Sequence, residues 1–190
     1  RERLFSTVDA PEPEAEGGFD LATSRLASDE VADWLSQHAA VGVRTGVHVV
    51  GTWGRGTGDA HGIGVAAADG TAAYLELAEL DAEAERAVAD WLGDVDRPKA
   101  LHDSKGPGHA LRARGMPLRG VVSDTALAAY LVQPDQRSYD LADLTLRYLK
   151  RELRQEAEND QAALFDDGED VAAAAMLHAR AALDLSVALA

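Results

Sequence analysis

The chain has 190 residues, which is enough for one domain with its own hydrophobic core. It carries 18 basic and 33 acidic residues, a formal charge of −15, and a surface of that sign repels a nucleic-acid backbone on average. It has no cysteine, which excludes disulfides and thiolate metal sites, and no apolar run approaches the roughly 20 residues of a membrane span, so we expect no membrane association.

Residues 1–27 are predicted to be a linker without fixed structure. Acidic residues, Pro and Gly between residues 9 and 19 leave little to bury. A helix is predicted to begin at Ser28, which can cap it and is followed by acids in the first turn. Val31, Trp34 and Leu35 recur at the spacing of one helix face.

Three strands in a meander are predicted next, followed by alternating helices and strands. The strands lie at residues 43–50, 62–68 and 71–77, and Ala68-Asp69-Gly70 has the composition of a hairpin turn. The later elements are a helix at 81–91, a strand at 99–102, a helix at 108–114, a strand at 121–123, helices at 124–132 and 138–153, and a last Ala-rich helix. This order predicts a mixed α/β sheet flanked by helices.

Two glycine-rich segments do not match nucleotide-binding motifs. Gly54-Arg55-Gly56-Thr57-Gly58 is followed by Asp59, where a dinucleotide fingerprint needs its third glycine, so we interpret it as a connection between strands. Lys105-Gly106-Pro107-Gly108 lacks the Walker spacing, and Pro107 has no N–H to donate. We interpret this second segment as a turn before a helix.

Metal binding and contact with DNA are alternatives that the residues leave open. Six side chains could supply metal ligands: His61, His102, His109, Asp59, Asp103 and Asp124. No two of them are spaced i, i+4 along a helix with a third ligand beside them that the sequence identifies. The middle of the chain is richer in basic residues: Arg112, Arg114, Arg119, Arg147, Lys150, Arg151 and Arg154. We interpret them as a solvated surface, with a docking or DNA-facing edge as the second interpretation.

Residues 116–134, MPLRGVVSDTALAAYLVQP, are the most informative segment. Together with residues 138–149, they resemble the 3′–5′ exonuclease domain of family A DNA polymerases, the bacterial DNA polymerase I group, here of an actinobacterial type. The shared Asp-Thr-x-Leu-x-x-Tyr-Leu pattern is formed by Asp124, Thr125, Leu127, Tyr130 and Leu131. The resemblance implies a ribonuclease H-like α/β fold, with a three-strand meander plus parallel strands.

The side chains of this pattern carry structural expectations of their own. Leu127, Tyr130 and Leu131 are spaced as on one face of a helix, and we expect them to lie in the core. We expect Asp124 to cap its helix, with a remnant polar residue beside an old active site as the alternative.

Proofreading members of this family hold two metal ions with carboxylates from three motifs, and the resemblance places other residues at those positions. At the Asp and Glu of Asp-x-Glu stand Gly51 and Trp53. At the Asn and Asp of Asn-x-x-x-Asp stand Asp103 and Pro107, and at the Asp of Tyr-x-x-x-Asp stands Arg180. Gly, Trp and Pro side chains cannot ligate a metal, and Arg repels one. We therefore expect four vestigial positions, Gly51, Trp53, Pro107 and Arg180, with no catalytic residue, cofactor or metal in this domain.

The resemblance also implies a setting within a longer chain. Residues 28–190 would be a degenerate exonuclease-like domain, and residues 1–27 would join it to a preceding 5′-nuclease module. We expect a spacer and docking domain in a monomeric, Mg²⁺-dependent DNA polymerase that contacts DNA, acts in repair and replication, and lies in the nucleoid-associated cytoplasm. The alternatives are an active two-metal exonuclease with relocated ligands, namely Asp59, Asp103 and Asp124, and a free-standing acidic interaction domain.

Overall fold

A six-stranded sheet forms the centre of the computed structural model, which describes residues 18–54, 57–153 and 168–190. The strand order is β1-β4-β3-β2-β5-β6. The strands are β1 (Ala22–Arg25), β2 (Thr45–Gly54), β3 (Thr57–Ala66), β4 (Thr71–Glu76), β5 (Lys99–Leu101) and β6 (Val121–Asp124). β2, β3 and β4 form an antiparallel meander, whereas β1, β5 and β6 run parallel to their neighbours. The predicted mixed sheet is confirmed.

Six α-helices accompany the sheet in the described part of the chain. They are α1 (Ser28–His38), α2 (Ala82–Gly93), α3 (Lys105–Ala113), α4 (Thr125–Val132), α5 (Leu141–Leu144) and α6 (Gly168–Ala188). A π-helical turn, Thr145–Leu149, continues α5. The prediction of one helix over residues 138–153 is wrong, because the helical segment begins at Leu141 and ends at Leu149, where Lys150 takes a left-handed φ of 57°.

The domain begins before residue 28, because residues 22–25 of the predicted linker form β1. This strand pairs in parallel with β4, from Ala22 opposite Thr71 to Arg25 opposite Tyr74. All four of its residues are exposed, so no apolar alternation marks the strand in the sequence. Residues 1–17, the rest of the predicted linker, lie outside the described residues.

The main core lies between one face of the sheet and the helices α1, α2 and α3. Its buried side chains include Val47, Val49, Ile63, Val65 and Leu75 from the strands, with Val31, Leu35, Val88, Leu92 and Leu111 from the helices. Burial of these apolar side chains is the main contribution to the stability of the domain.

The opposite face of the sheet is covered by α6, which approaches the strands closely. A Cβ added to Gly46 of β2 would overlap the carbonyl oxygen of Ala179, and one added to Gly64 of β3 would overlap that of Ala175. Glycine at these two strand positions therefore allows the helix backbone to rest directly on the sheet.

By length and composition alone, the 21 residues of α6 could cross a membrane, so the expectation that no apolar run approaches that length is wrong. In the fold, half of this apolar stretch is buried. Its residues Ala172, Ala175 and Ala179 belong to a buried cluster that also contains Tyr74 of the sheet. We therefore interpret α6 as the core helix of a globular domain.

Candidate active site

The end of β2 and the start of α3 meet where the resemblance places the first two motifs. The indole of Trp53 lies against Gly106, so that a Cβ added to Gly106 would overlap the ring. Pro107, the next residue, is buried in the first turn of α3. Gly51 lies two residues before Trp53 on β2. The structure thus brings Gly51, Trp53 and Pro107 into one region.

Gly51 has no room for a side chain. The pairing of β2 with β3 shifts between Val50 and Gly51, which is the mark of a bulge. A Cβ added to Gly51 would overlap the carbonyl oxygen of Asp59 and lie 3.0 Å from the Cα of Ala60. Because both are backbone atoms of β3, a carboxylate at position 51 requires the two strands to move apart.

Arg180 lies away from the other three positions. Its Nη1 donates to the carbonyl oxygen of Ala67 at 3.3 Å, and its Nε is 2.9 Å from Oδ1 of Asp184. Ala67 follows Ala66, which pairs with Gly46 near the start of β2, and Gly51 lies five residues further, about 17 Å along the strand. The structure therefore does not bring Arg180 to the region of the first two motifs.

Asp124 joins the starts of two helices. Its carboxylate accepts hydrogen bonds from the N–H groups of Ala126 (3.1 Å) and Leu127 (3.4 Å) in α4. Just before α3, it accepts from the N–H of Asp103 (3.2 Å) and from both the N–H (2.7 Å) and the hydroxyl (2.8 Å) of Ser104. Burial favours a higher pKa for Asp124, but these hydrogen bonds outweigh it, and the pKa is lowered. The predicted helix cap is confirmed.

The alternative ligands Asp59, Asp103 and Asp124 do not form a cluster. Asp103 is exposed beside Asp124 at the start of α3, whereas Oδ1 of Asp59 lies 4.0 Å from Nη1 of Arg114, just past the end of that helix. The nine residues of α3 span about 14 Å between these points. In the described part of the chain, no group of three or more His, Asp or Glu side chains is arranged to hold a metal ion. Among the described residues, Asp59, Asp103 and Asp124 are therefore not placed to hold a pair of metal ions together.

Three histidines lie on the α6 side of the sheet, a grouping that the sequence did not indicate. The rings of His48 on β2 and His178 on α6 meet edge to face, with centroids 4.8 Å apart. Nδ1 of His102, just after β5, is 2.9 Å from the hydroxyl of Thr125. Burial, together with His178 and His102, lowers the pKa of His48 to about 3, and burial lowers the pKa of His102 and His178 as well.

The apolar side chains of α4 face outward, so their predicted place in the core is wrong. Leu127 is 62% exposed, Tyr130 51% and Leu131 79%. The helix instead buries Thr125 and Ala129. A helix that is apolar on every face gives no periodic signal for which face is covered.

Residues 55–159, more than half of the chain, match the family described as "DNA polymerase I, ribonuclease H-like domain". The chain belongs to this family. It is 49% identical to the DNA polymerase I of Mycobacterium bovis and 47% identical to that of Mycobacterium leprae, over 100% of this chain and 22% of each relative. The chain thus spans about a fifth of the length of the curated relatives that it matches, and it is an exonuclease-like domain of DNA polymerase I.

Solved structures agree with this family assignment. The chain resembles Pol1 of M. smegmatis, solved as the POL domain in complex with DNA primer-template and dNTP, with a TM-score of 0.74 and 44% identity over 88% of this chain and 27% of that one. RNase D of Trypanosoma brucei has a TM-score of 0.68 at 15% identity, over 88% of this chain and 64% of its own. RNase D of Escherichia coli has a TM-score of 0.63 at 14% identity, over 89% and 45%. These two likenesses show the fold alone, and they confirm the predicted ribonuclease H-like fold.

Proposed function

We propose that this is a catalytically inactive 3′–5′ exonuclease-like domain, which serves as a structural spacer within a DNA polymerase I. The observation that carries the proposal is the position of the β3 backbone, which fills the space that a carboxylate at Gly51 would need. Trp53 and Pro107 stand at the next two ligand positions, and neither side chain can coordinate a metal.

The chemistry of phosphodiester cleavage explains why these changes matter. Two-metal hydrolysis needs several carboxylate oxygens around a pair of hard cations, which stabilise the attacking and leaving oxygens. Asp103 is one exposed carboxylate beside the region, while the oxygens of Asp124 accept hydrogen bonds from two helix starts. Within the described part of the chain, this one available carboxylate does not rebuild a two-metal site.

The setting that we propose is a monomeric polymerase with a 5′-nuclease module and a polymerase module on the same polypeptide. In this proposal Mg²⁺ and DNA are bound by the polymerase module, and the enzyme acts in repair and replication at the nucleoid, in the cytoplasm. The proposal is supported by relatives that are DNA polymerase I chains, of which this chain matches 22%.

The proposed inactivity is tested with a 5′-labelled single-stranded oligonucleotide, incubated with the chain and either Mg²⁺ or Mn²⁺. We expect no shortening of the strand on a denaturing gel. Asp103→Asn is the matched control, because Asp103 has a φ of 49° and Asn adopts that conformation readily. Shortening by the wild-type chain that Asp103→Asn abolishes would overturn the proposal and favour an exonuclease with relocated ligands.

A further inference from the structure

Leu127, Tyr130 and Leu131 form an exposed apolar stripe on α4, here called the α4 stripe. They occupy positions i, i+3 and i+4, and so lie on one face of the helix. The ring of Tyr130 packs edge to face on Tyr139, with centroids 5.7 Å apart, so the middle of the stripe is held in place. The stripe is therefore an ordered apolar surface.

Exposed apolar side chains also occur on β6, the strand that leads into α4. β6 is the last strand of the sheet, and its residues Val121 and Val122 are 37% and 54% exposed. Val132, at the end of α4, is 59% exposed. Single exposed apolar residues are common on proteins, but a set of them on one face of a helix is typical of an interaction surface.

We propose that the α4 stripe docks on the polymerase-bearing remainder of the same polypeptide. The inference rests on the proposed place of the domain within a DNA polymerase I and names the surface that it uses there. In the Pol1 structure of M. smegmatis, the matched part is 27% of the chain, so most of that polypeptide accompanies the domain. A tethered module is present at high effective concentration, which lets a modest apolar surface remain occupied.

The chemistry of the stripe fits a protein partner better than DNA. None of its three side chains is charged, and the chain as a whole carries a charge of −15, which opposes contact with phosphates. The buried centre of a protein–protein contact is instead apolar, and tyrosine is one of the residues enriched there.

The α4 stripe also lies on the face of α4 that points away from the rest of this domain. The opposite face of α4 is covered through Ala129, which packs with Leu144 and Leu185, in a cluster that Leu189 also joins. α4 is thus anchored on the last turns of α6, and its outer face is presented next to them.

The test is photo-crosslinking of the full-length polymerase with benzoyl-phenylalanine at position 131. The control places the same group at position 86, because Arg86 is exposed on α2, across the sheet from α6. We expect mass spectrometry to find crosslinks from position 131 to the polymerase module of the same molecule and none to that segment from position 86. The proposal would be overturned if position 131 crosslinks only within residues 1–190, only to a second copy of the protein or only to DNA. It would also be overturned if position 131 forms no crosslink.

Hydrogen–deuterium exchange gives a second measurement that does not depend on the crosslinker. In the full-length polymerase, we expect Leu131→Asp to make the amides of residues 127–132 exchange at least tenfold faster, while Arg86→Asp leaves them unchanged. Equal exchange in the Leu131→Asp variant and the wild type would refute the docking. Nuclease activity of the domain would refute its proposed inactivity and leave the docking intact, so the two proposals fail separately.

Discussion

Asp124 shows how one carboxylate can be fully committed to structure. It caps α4 and also holds the N–H groups just before α3, so the starts of two helices share a single side chain. The aspartate immediately before an apolar helix predicts the first of these roles. The second depends on residues some 20 positions earlier in the chain, which only the parallel pairing of β5 with β6 brings close.

Asp124→Ala is therefore expected to lower the free energy of unfolding by about 2–3 kcal/mol, because it removes a helix cap and leaves the N–H and hydroxyl of Ser104 without their acceptor. Urea denaturation followed by circular dichroism measures the change. Asp135→Ala, at an exposed loop position, is the control and should stay within about 0.5 kcal/mol of the wild type. A similarly small effect for Asp124→Ala would contradict the double role.

His48 predicts a pH dependence of stability. Its pKa in the folded chain is about 3, against 6.5 when unfolded, so between these values the unfolded chain binds a proton that the native chain does not. Stability should therefore rise as the pH increases from 3 to about 6.5, by up to about 1.4 kcal/mol per pH unit for this histidine. The lowered pKa values of His102 and His178 act in the same direction.

The measurement compares unfolding free energies at pH 4.5, 5.5 and 6.5. His48→Leu should reduce the slope against pH, because the variant cannot take up this proton on unfolding. Val49→Ala, a buried substitution on the same strand that does not titrate, should lower stability at every pH and keep the slope. If His48→Leu keeps the full slope, the assigned role of His48 is wrong.

At the scale of elements, α6 approaches the sheet closely because two strand positions, Gly46 and Gly64, have no side chain. Gly46 and Gly64 leave space for the helix carbonyls of Ala179 and Ala175, so α6 packs backbone to backbone on the meander. Together with the alanines of α6, this brings the helix and the sheet close without large side chains between them.

Gly46→Ala is expected to destabilise the domain by about 1–3 kcal/mol or more, because the added methyl group would overlap the backbone of α6, which cannot turn aside as a side chain can. Thermal denaturation measures the loss. Gly54→Ala, on the same strand, places its methyl group where no described residue other than its chain neighbours has an atom within 4 Å, and it should change stability much less. Equal effects of the two substitutions would show that α6 does not rest on Gly46 as described.

The sequence predicts where the helices and strands lie better than it predicts which elements they contact. The meander, the order of helices and strands and the cap at Asp124 follow from local signals that lie within a few residues of one another. β1 has no such signal, since all its side chains are exposed and its strand is defined by backbone pairing with β4. The outward face of α4 is likewise invisible in a helix that is apolar all round.

The candidate site, too, is predicted from the sequence only in part. Residue identities at Gly51, Trp53 and Pro107 come directly from the resemblance, whereas the lack of space at Gly51 results from a shift in strand pairing that no local pattern announces. Arg180 is misplaced by residue counting because residues 154–167, which carry no clear motif, precede its helix. The histidine trio combines residues separated by 54 and 76 positions, and spacing alone does not connect them.

At the scale of the whole molecule, charge limits what the domain does alone. A net charge of −15 on 190 residues opposes the approach of a phosphate backbone, and the basic side chains of Arg114, Arg151 and Arg180 are paired with nearby carboxylates. A domain of this kind is better suited to contact protein than DNA.

We therefore expect the isolated chain to show no binding to a fluorescent single-stranded oligonucleotide at about 0.15 M salt, up to tens of micromolar protein. Non-specific binding proteins reach dissociation constants of about 10⁻⁴–10⁻⁶ M under such conditions through several phosphate contacts. Fluorescence anisotropy across a salt series measures this. Binding that weakens steeply as salt rises would reveal a basic strip and contradict the expectation.

The close approach of β3 to Gly51 also bears on whether a carboxylate could be introduced at this position. A codon change at position 51 alone would put an aspartate into the backbone of the neighbouring strand, so the bulge between Val50 and Gly51 would have to be remodelled in the same step. A single point mutation is therefore not enough to place a metal ligand at position 51. An engineer who wished to place an aspartate at position 51 would have to rebuild the β2–β3 hairpin first.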